Sequence, residues 1–206
     1  LWSNQASQRE AAVQSVLNLL AGALGPLSQK DILSLAPDEA GLNVVNLAHY
    51  LEPLARFVIG DGTHQGYVFS HPRLANYFLE ERLSSQERQA IERRFLVWGE
   101  QILTDLNEGH LPPAQASAYI VQYYGAHLER AQAGASALLA LVSDGWRRAW
   151  EKLDRANAGF LGDSERAWRA AERENAAAAK NGQQLPYLGA EIRSLLCRVS
   201  INSMTS

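Results

Sequence analysis

The stretch Phe57-Val58-Ile59-Gly60-Asp61-Gly62-Thr63-His64-Gln65-Gly66-Tyr67-Val68-Phe69-Ser70-His71-Pro72 decides the fold. Its β-branched and aromatic runs are typical of short strands, and the glycines between them supply the backbone freedom of a turn. We predict a β-hairpin made of residues 57–59 and 67–69, followed by a helix that opens at His71-Pro72. Because the rest of the chain has helical spacing, this hairpin is expected to be the wing of a winged-helix module.

Three predicted helices precede the hairpin. The first is expected to begin near Ser7, with Glu10 as its capping-box partner, and to stop at Gly25-Pro26. Ser28 is expected to cap a short second helix. A turn then leads into a third helix with apolar residues at Leu42, Val45, Leu47, Leu51 and Leu54. The second and third helices form a predicted helix-turn-helix.

Helices are predicted from His71 to the end of the chain. One starts at Ser84 and carries an apolar stripe of Ile91, Phe95, Trp98, Ile102 and Leu106. Another opens at Pro112-Pro113, and the next carries Leu139, Val142, Trp146, Trp150 and Leu153. The last two follow Gly159 and Asn181-Gly182. We predict a mainly α protein with a winged-helix domain at 1–83, a helical linker domain at 84–158 and the start of a helical repeat array at 159–206.

The composition is that of an ordinary folded chain. Of 206 residues, 47% are hydrophobic and 20% are charged, and the formal net charge is −3. This balance disfavours nucleic acid as the main partner, because duplex binding normally requires a basic face. Cys197 is the single cysteine, which indicates a reducing, cytoplasmic compartment. The absence of an initiator methionine at Leu1 leads us to expect a piece of a longer protein.

No complete catalytic constellation is present, so the chain is not expected to be an enzyme. The glycine cluster 60–66 is followed by a strand and has no lysine nearby, which favours a hairpin turn over a phosphate loop. No two histidines have the i, i+4 spacing of a helical metal site among His49, His64, His71, His110 and His127. The helical tryptophans are expected in the core, at Trp98, Trp146, Trp150 and Trp168.

The predicted third helix is poor in the cations that a DNA-reading helix needs. It offers one arginine, Arg56, at its far end, and the wing has no lysine or arginine. Its apolar residues instead suggest packing against protein, at Leu42, Val44, Val45, Leu47 and Leu51.

His71 lies between the second strand and the next helix. From the spacing alone, Ser70 is the expected helix cap, and His71 is a half-buried residue of the first turn.

At this stretch the sequence resembles the winged-helix domain of signal-transduction ATPases with numerous domains, the NACHT and NB-ARC-like group of bacterial type. The matching residues are Phe69, Ser70, His71, Leu74, Tyr77 and Phe78. Two later segments are similar to the helices that follow the winged helix in that family. They are the segment from Tyr119 to Ala131, with His127-Leu128, and the segment from Trp146 to Asp154.

The resemblance implies a molecular switch in which the winged helix folds over an upstream ATPase domain. The family histidine contacts the β-phosphate of bound ADP, and here that residue is His71. Histidine donates a hydrogen bond to phosphate, more strongly when protonated. The implied partners are the upstream nucleotide-binding domain and downstream repeats of the same chain, with a homo-oligomer on activation and no membrane. ADP or ATP would be the cofactor of the parent protein only.

The chain departs from that family because no P-loop or Walker B strand is present. A non-catalytic regulatory fragment is therefore expected, coupling nucleotide state to C-terminal sensing and assembly. The alternative is a winged-helix transcriptional regulator that binds DNA. A hydrolase with a helical core is a third reading, and it would require a deep pocket with convergent polar groups.

Overall fold

A computed structural model describes residues 2–154 and 157–204. This part of the chain is mainly helical, and its one sheet has two antiparallel strands, as predicted at the level of fold class. The helices are α1 (Trp2–Gly22), α2 (Gln29–Leu35), α3 (Val44–Leu51), α4 (Pro72–Tyr77), α5 (Ser85–Glu108), α6 (Ala118–Arg130), α7 (Ala135–Leu139), α8 (Asp144–Leu153), α9 (Ala158–Lys180) and α10 (Leu188–Met204); the strands are β1 (Val58–Ile59) and β2 (Val68–Phe69).

The chain divides into two compact units between Trp98 and Gly99. These units follow from packing alone, so the predicted domain boundaries at 83/84 and 158/159 stay predictions. None of the described helices is long and apolar enough to cross a membrane.

In the first unit, α1 contacts α2, α3, α4 and β2. Its buried face carries Ala12, Val16, Leu19 and Leu20, which have the i, i+3, i+4 spacing of a helix that buries one side. The other elements of this unit bury Ile32, Leu35, Leu47, Leu51, Val58 and Phe69. Alternation along β1 and β2 places Val58 and Phe69 inside, and these two residues are paired across the sheet.

Local signals placed several boundaries correctly. Ser28 caps α2 through a full capping box with Asp31, and Ser84 with Glu87 does the same at the start of α5. The hairpin has the predicted position, with Val58 opposite Phe69 and Ile59 opposite Val68. Asn181-Gly182 ends α9 as predicted.

Other predicted boundaries were wrong. Helix α1 begins at Trp2, not near Ser7, since no glycine or proline separates the two residues. Pro113–Gln115 forms only a short 3₁₀ turn, and Ser117 caps α6 by accepting from the Ile120 amide at 3.2 Å. The predicted single helix from 139 to 153 is two helices, interrupted at the extended residue Ser143.

Gly159 does not separate two helices but lies in the first turn of α9. A Cβ atom at this position would collide with the Trp150 ring. The glycine therefore permits close approach of α9 to α8.

In the second unit, α9 contacts α6, α7, α8 and α10. Its buried carboxylate, Asp163, is 1% exposed and accepts from both indole N–H groups of Trp146 and Trp150 at 2.9 Å. Arg166 donates to the other carboxylate oxygen at 3.0 Å and also binds Glu129 at 2.8 Å. Burial raises the pKa of Asp163, although all three donors favour its charged form.

The helix α6 reaches the same carboxylate at Gly125, where a Cβ atom would collide with Asp163. One side chain on α9 thus fixes α8 by hydrogen bonds and α6 by close contact. Of the four tryptophans expected in the core, Trp146 and Trp150 are buried, whereas Trp98 and Trp168 are half-buried.

Asp163→Asn is expected to lower the free energy of unfolding by about 2–3 kcal/mol. The amide oxygen can still accept from the indoles, but the amide NH₂ then faces the Arg166 donor in a buried site. Urea unfolding followed by tryptophan fluorescence measures the change. Glu165→Gln, two residues away on α9, weakens a partly exposed ion pair with Arg169 and should change stability by less than about 0.5 kcal/mol. Equal effects of the two variants would contradict the role of Asp163.

Candidate functional site

The candidate site is the exit of the hairpin, where β2 delivers His71 to the start of α4. The Ser70 amide donates to the Phe57 carbonyl at 2.8 Å, and its hydroxyl donates to the Arg56 carbonyl at 3.0 Å. These two bonds end the hairpin, and the N-cap of α4 is the next residue, His71. The expectation that Ser70 caps α4 was therefore wrong.

His71 itself is the N-cap of α4. Its backbone is extended, and Nδ1 accepts from the Arg73 amide at 3.1 Å. Pro72 follows at the first helical position, where a missing N–H is tolerated. The side chain is exposed, so the expectation of a half-buried residue was also wrong.

The cap bond determines which nitrogen of the neutral His71 ring carries the proton. A nitrogen that accepts a hydrogen bond must keep its lone pair, so in the neutral ring the proton is on Nε2. No described residue binds Nε2. The ring therefore presents an exposed N–H donor while Nδ1 holds the helix start. A doubly protonated ring would lose the cap bond.

The remaining residues of the sequence motif surround this position. Phe69 is buried and stacks on Phe78 at a centroid distance of 5.3 Å, and Tyr77 meets Phe78 edge-on at 6.0 Å. Tyr77 is 50% exposed and Phe57, whose backbone lies opposite Ser70, is 44% exposed. Two large apolar side chains are thus left accessible near the hairpin exit.

A third chain segment extends the hairpin sheet. Leu27, between α1 and α2, exchanges two backbone hydrogen bonds with Tyr67, at 3.0 and 2.7 Å. The Gln29 amide adds a bond to the Gly62 carbonyl at 2.8 Å. These contacts attach the loop to the start of α2, and sequence periodicity gave no signal for them.

The glycine loop is satisfied by its own atoms. Oδ1 of Asp61 accepts from three consecutive amides, those of Thr63, His64 and Gln65, at 2.7–3.0 Å. The amides of Asp61 and Gly62 both donate to the Gln65 carbonyl. A phosphate loop needs free amides that converge on the ligand, whereas these five are already engaged.

Two of the glycines have a backbone reason to be glycine. Gly60 and Gly62 have φ of +108° and +74°, which residues with a Cβ rarely adopt. The loop is therefore explained as a structural turn, which agrees with the interpretation favoured from the sequence.

The other histidines are held in separate places. His49 and His64 are exposed beside Glu52 and Asp61, and His110 lies beside Glu108. Within the described ranges, no three His, Cys, Asp or Glu side chains are grouped as metal ligands would be.

His127 is fully buried and acts in the core of the second unit. Its Nε2 lies 2.7 Å from the Tyr119 hydroxyl, and its Nδ1 accepts from Arg130 at 3.1 Å. Because arginine can only donate, the neutral Nε2–H tautomer follows here too. The Tyr and His of the segment 119–131 therefore meet each other across two turns of α6.

The polar clusters around Asp163 and His127 both escaped sequence reasoning. Asp163 lies 13 and 17 residues from the indoles that it binds. The only available signal was the i, i+4 pair Trp146 and Trp150, whose N–H groups need acceptors when buried.

Comparison of the chain with protein-family models, curated proteins and solved structures finds no match. The resemblance to signalling ATPases thus rests on the sequence motifs quoted above.

Acidification tests the Asp61 loop. Its three backbone hydrogen bonds hold the pKa of Asp61 well below the ordinary value of 3.8. A depressed pKa means that the loop contributes its stability above the unfolded value and loses it as the pH falls through the folded one. We expect the amide proton shifts of residues 63–65 to titrate together with a midpoint below 3.8 in NMR spectra.

Asp61→Asn retains an acceptor oxygen but has no carboxyl, so the titration should vanish while the loop amides stay protected from exchange. Asp61→Ala should lose that protection. Protection that survives Asp61→Ala would show that the carboxylate does not organise the loop.

Proposed function

We propose that the chain is a regulatory, non-catalytic part of a signalling ATPase of the NACHT and NB-ARC-like group. In this proposal the first unit contains a winged helix that closes over a nucleotide-binding domain located upstream in the same protein. His71 donates its Nε2–H to the β-phosphate of bound ADP. The helices that follow transmit the nucleotide state to a C-terminal sensor and to assembly.

One observation carries the proposal: His71 is exposed, and its Nδ1 is already used by the α4 cap. The remaining nitrogen, Nε2, is therefore the one that is available to donate. Such a donor can bind a phosphate oxygen without first changing its protonation state. The exposed Phe57 and Tyr77 add apolar surface that a covering protein domain would bury.

The order of elements is also compatible with a winged helix. Three helices are followed by a hairpin, and the Leu27–Tyr67 bridge attaches that hairpin between the first two helices. This arrangement supports the proposal.

The surface of α3 does not favour the DNA-binding alternative. Val44 and Val45, which were expected to pack against protein, are 64% and 85% exposed, so no part of the described chain covers them. The other exposed residues on this part of the helix are Ala48 and His49. No exposed lysine or arginine lies on α3, which leaves its surface without the cations that neutralise phosphates. An apolar, uncharged face fits contact with protein better.

His71→Ala in the full-length protein is expected to weaken ADP retention at least about tenfold, measured as the dissociation rate of labelled ADP. His71→Asn is the matched control for the cap, because asparagine caps helices well but cannot reach as far as Nε2. The proposal requires both variants to lose ADP faster. His64→Ala, which alters an exposed histidine of the same hairpin, should retain it as the natural protein does.

Two results would contradict this function. If His71→Asn retains ADP while His71→Ala does not, the histidine acts only as a helix cap. If the coding sequence upstream of Leu1 lacks a phosphate-binding loop, there is no nucleotide-binding domain for the winged helix to cover.

A further inference from the structure

The helix α10 buries one face against α9 and leaves an apolar stripe uncovered. The buried side includes Ser194, which is 1% exposed and donates to the Ala190 carbonyl at 2.9 Å. The uncovered side chains are 47–61% exposed, and we call them the α10 stripe: Leu188, Ile192, Leu195, Leu196 and Val199.

The stripe has the spacing of a coiled-coil seam. Residues 188, 192, 195 and 199 are separated by four, three and four positions, which is the d-a-d-a order of a heptad repeat. The a positions are the β-branched Ile192 and Val199, and the d positions are the leucines Leu188 and Leu195. β-Branched residues at a with leucine at d are the combination that favours parallel two-stranded pairing.

The stripe contains no charge that would oppose pairing with its own copy. None of the five side chains in the stripe is charged, so a copy of the stripe can face it without burying an unpaired ion. The nearest acidic residue, Glu191, is turned to α9, where it accepts from Asn175 at 2.7 Å. We propose that the α10 stripe is a self-association surface, on which α10 of a second copy of this chain pairs in parallel and in register.

Helix α10 is already folded and held against α9 in the single chain. Asn175 on α9 is buried and also accepts from the Tyr187 amide at 2.9 Å, just before α10 begins. The bonds of Asn175 to Tyr187 and Glu191 hold the first turn of α10 on α9. Because α10 is already folded, pairing does not have to supply the ordering cost that an isolated short helix would impose.

The size of the stripe sets the strength of the interaction. Five side chains that are each about half exposed offer roughly 400 Å² per copy, about half of the ~800 Å² per partner in a standard stable interface. The pairing is therefore weak and reversible. It forms when copies are concentrated and separates on dilution.

Sedimentation equilibrium of the 206-residue chain over a concentration series tests the pairing. We expect a monomer–dimer equilibrium with a dissociation constant between about 10 and 500 µM. Val199→Glu places a charge against its own copy at an a position and should weaken the dimer at least about tenfold. Val97→Glu is the matched control, since Val97 is 57% exposed and Val199 is 58% exposed, and it should leave the equilibrium unchanged.

Circular dichroism establishes that both variants keep the helical content of the natural chain, which is expected because both positions are exposed. A chain that stays monomeric up to about 1 mM would overturn the proposal. So would a dimer that Val199→Glu and Val97→Glu weaken equally, or one that neither weakens.

A second experiment tests the parallel register. With Cys197 replaced by serine, Leu195→Cys places one thiol at a d position, which faces its own counterpart only in parallel, in-register pairing. Mild oxidation should give a disulfide-linked dimer. Val97→Cys in the same background should give much less. Equal cross-linking of the two variants would overturn the parallel arrangement.

Discussion

The second unit depends on one desolvated carboxylate, Asp163. A buried carboxylate is costly unless its oxygens are filled with donors. Here the donors are two indoles of α8 and the guanidinium of Arg166. The indole hydrogen bonds, which offset the desolvation of the carboxylate, also fix the orientation of α8 against α9. Helix α6 adds a glycine at the same point. Helices α6, α8 and α9 are thereby positioned around the Asp163 carboxylate, and α10 packs against α9.

In the first unit, an exposed carboxylate, Asp61, organises the hairpin turn. Asp61 collects three loop amides, so the hairpin turn needs neither a ligand nor a second chain to satisfy its backbone. The Leu27–Tyr67 bridge attaches this self-contained turn to the helices. The result is a fixed hairpin exit, and the position of His71 follows from it because Ser70 is committed to the Arg56 and Phe57 carbonyls.

The features that could be predicted from the sequence are those that depend on a few neighbouring residues. Ser28 with Asp31 and Ser84 with Glu87 are local caps, and the hairpin follows from adjacent strands and glycines. Long-range polar contacts have no such signature: Leu27 meets Tyr67 forty residues later, and Asp163 meets two tryptophans on another helix. Periodicity also fails to say whether an apolar face is covered by the chain itself: Val44 and Val45 were expected to pack against protein, and both are exposed.

The candidate site shows how a local signal can identify the right residue for an incomplete reason. The sequence motif indicated His71 as a hydrogen-bond donor to phosphate, and the capping rules assigned the N-cap of α4 to Ser70. In the structure one imidazole has both roles. Its Nδ1 accepts from the Arg73 amide and caps α4, and its Nε2 is available to donate a hydrogen bond. Protonation would strengthen donation from Nε2 but would also remove the acceptor that begins α4. A phosphate contact made by His71 is thus linked to the integrity of the first turn of α4, whose continuation carries the Phe78 ring that stacks on Phe69 of the hairpin. In the proposed switch, a change at the phosphate contact would therefore affect both α4, which His71 caps, and the hairpin, which contacts α4 through Phe69 and Phe78.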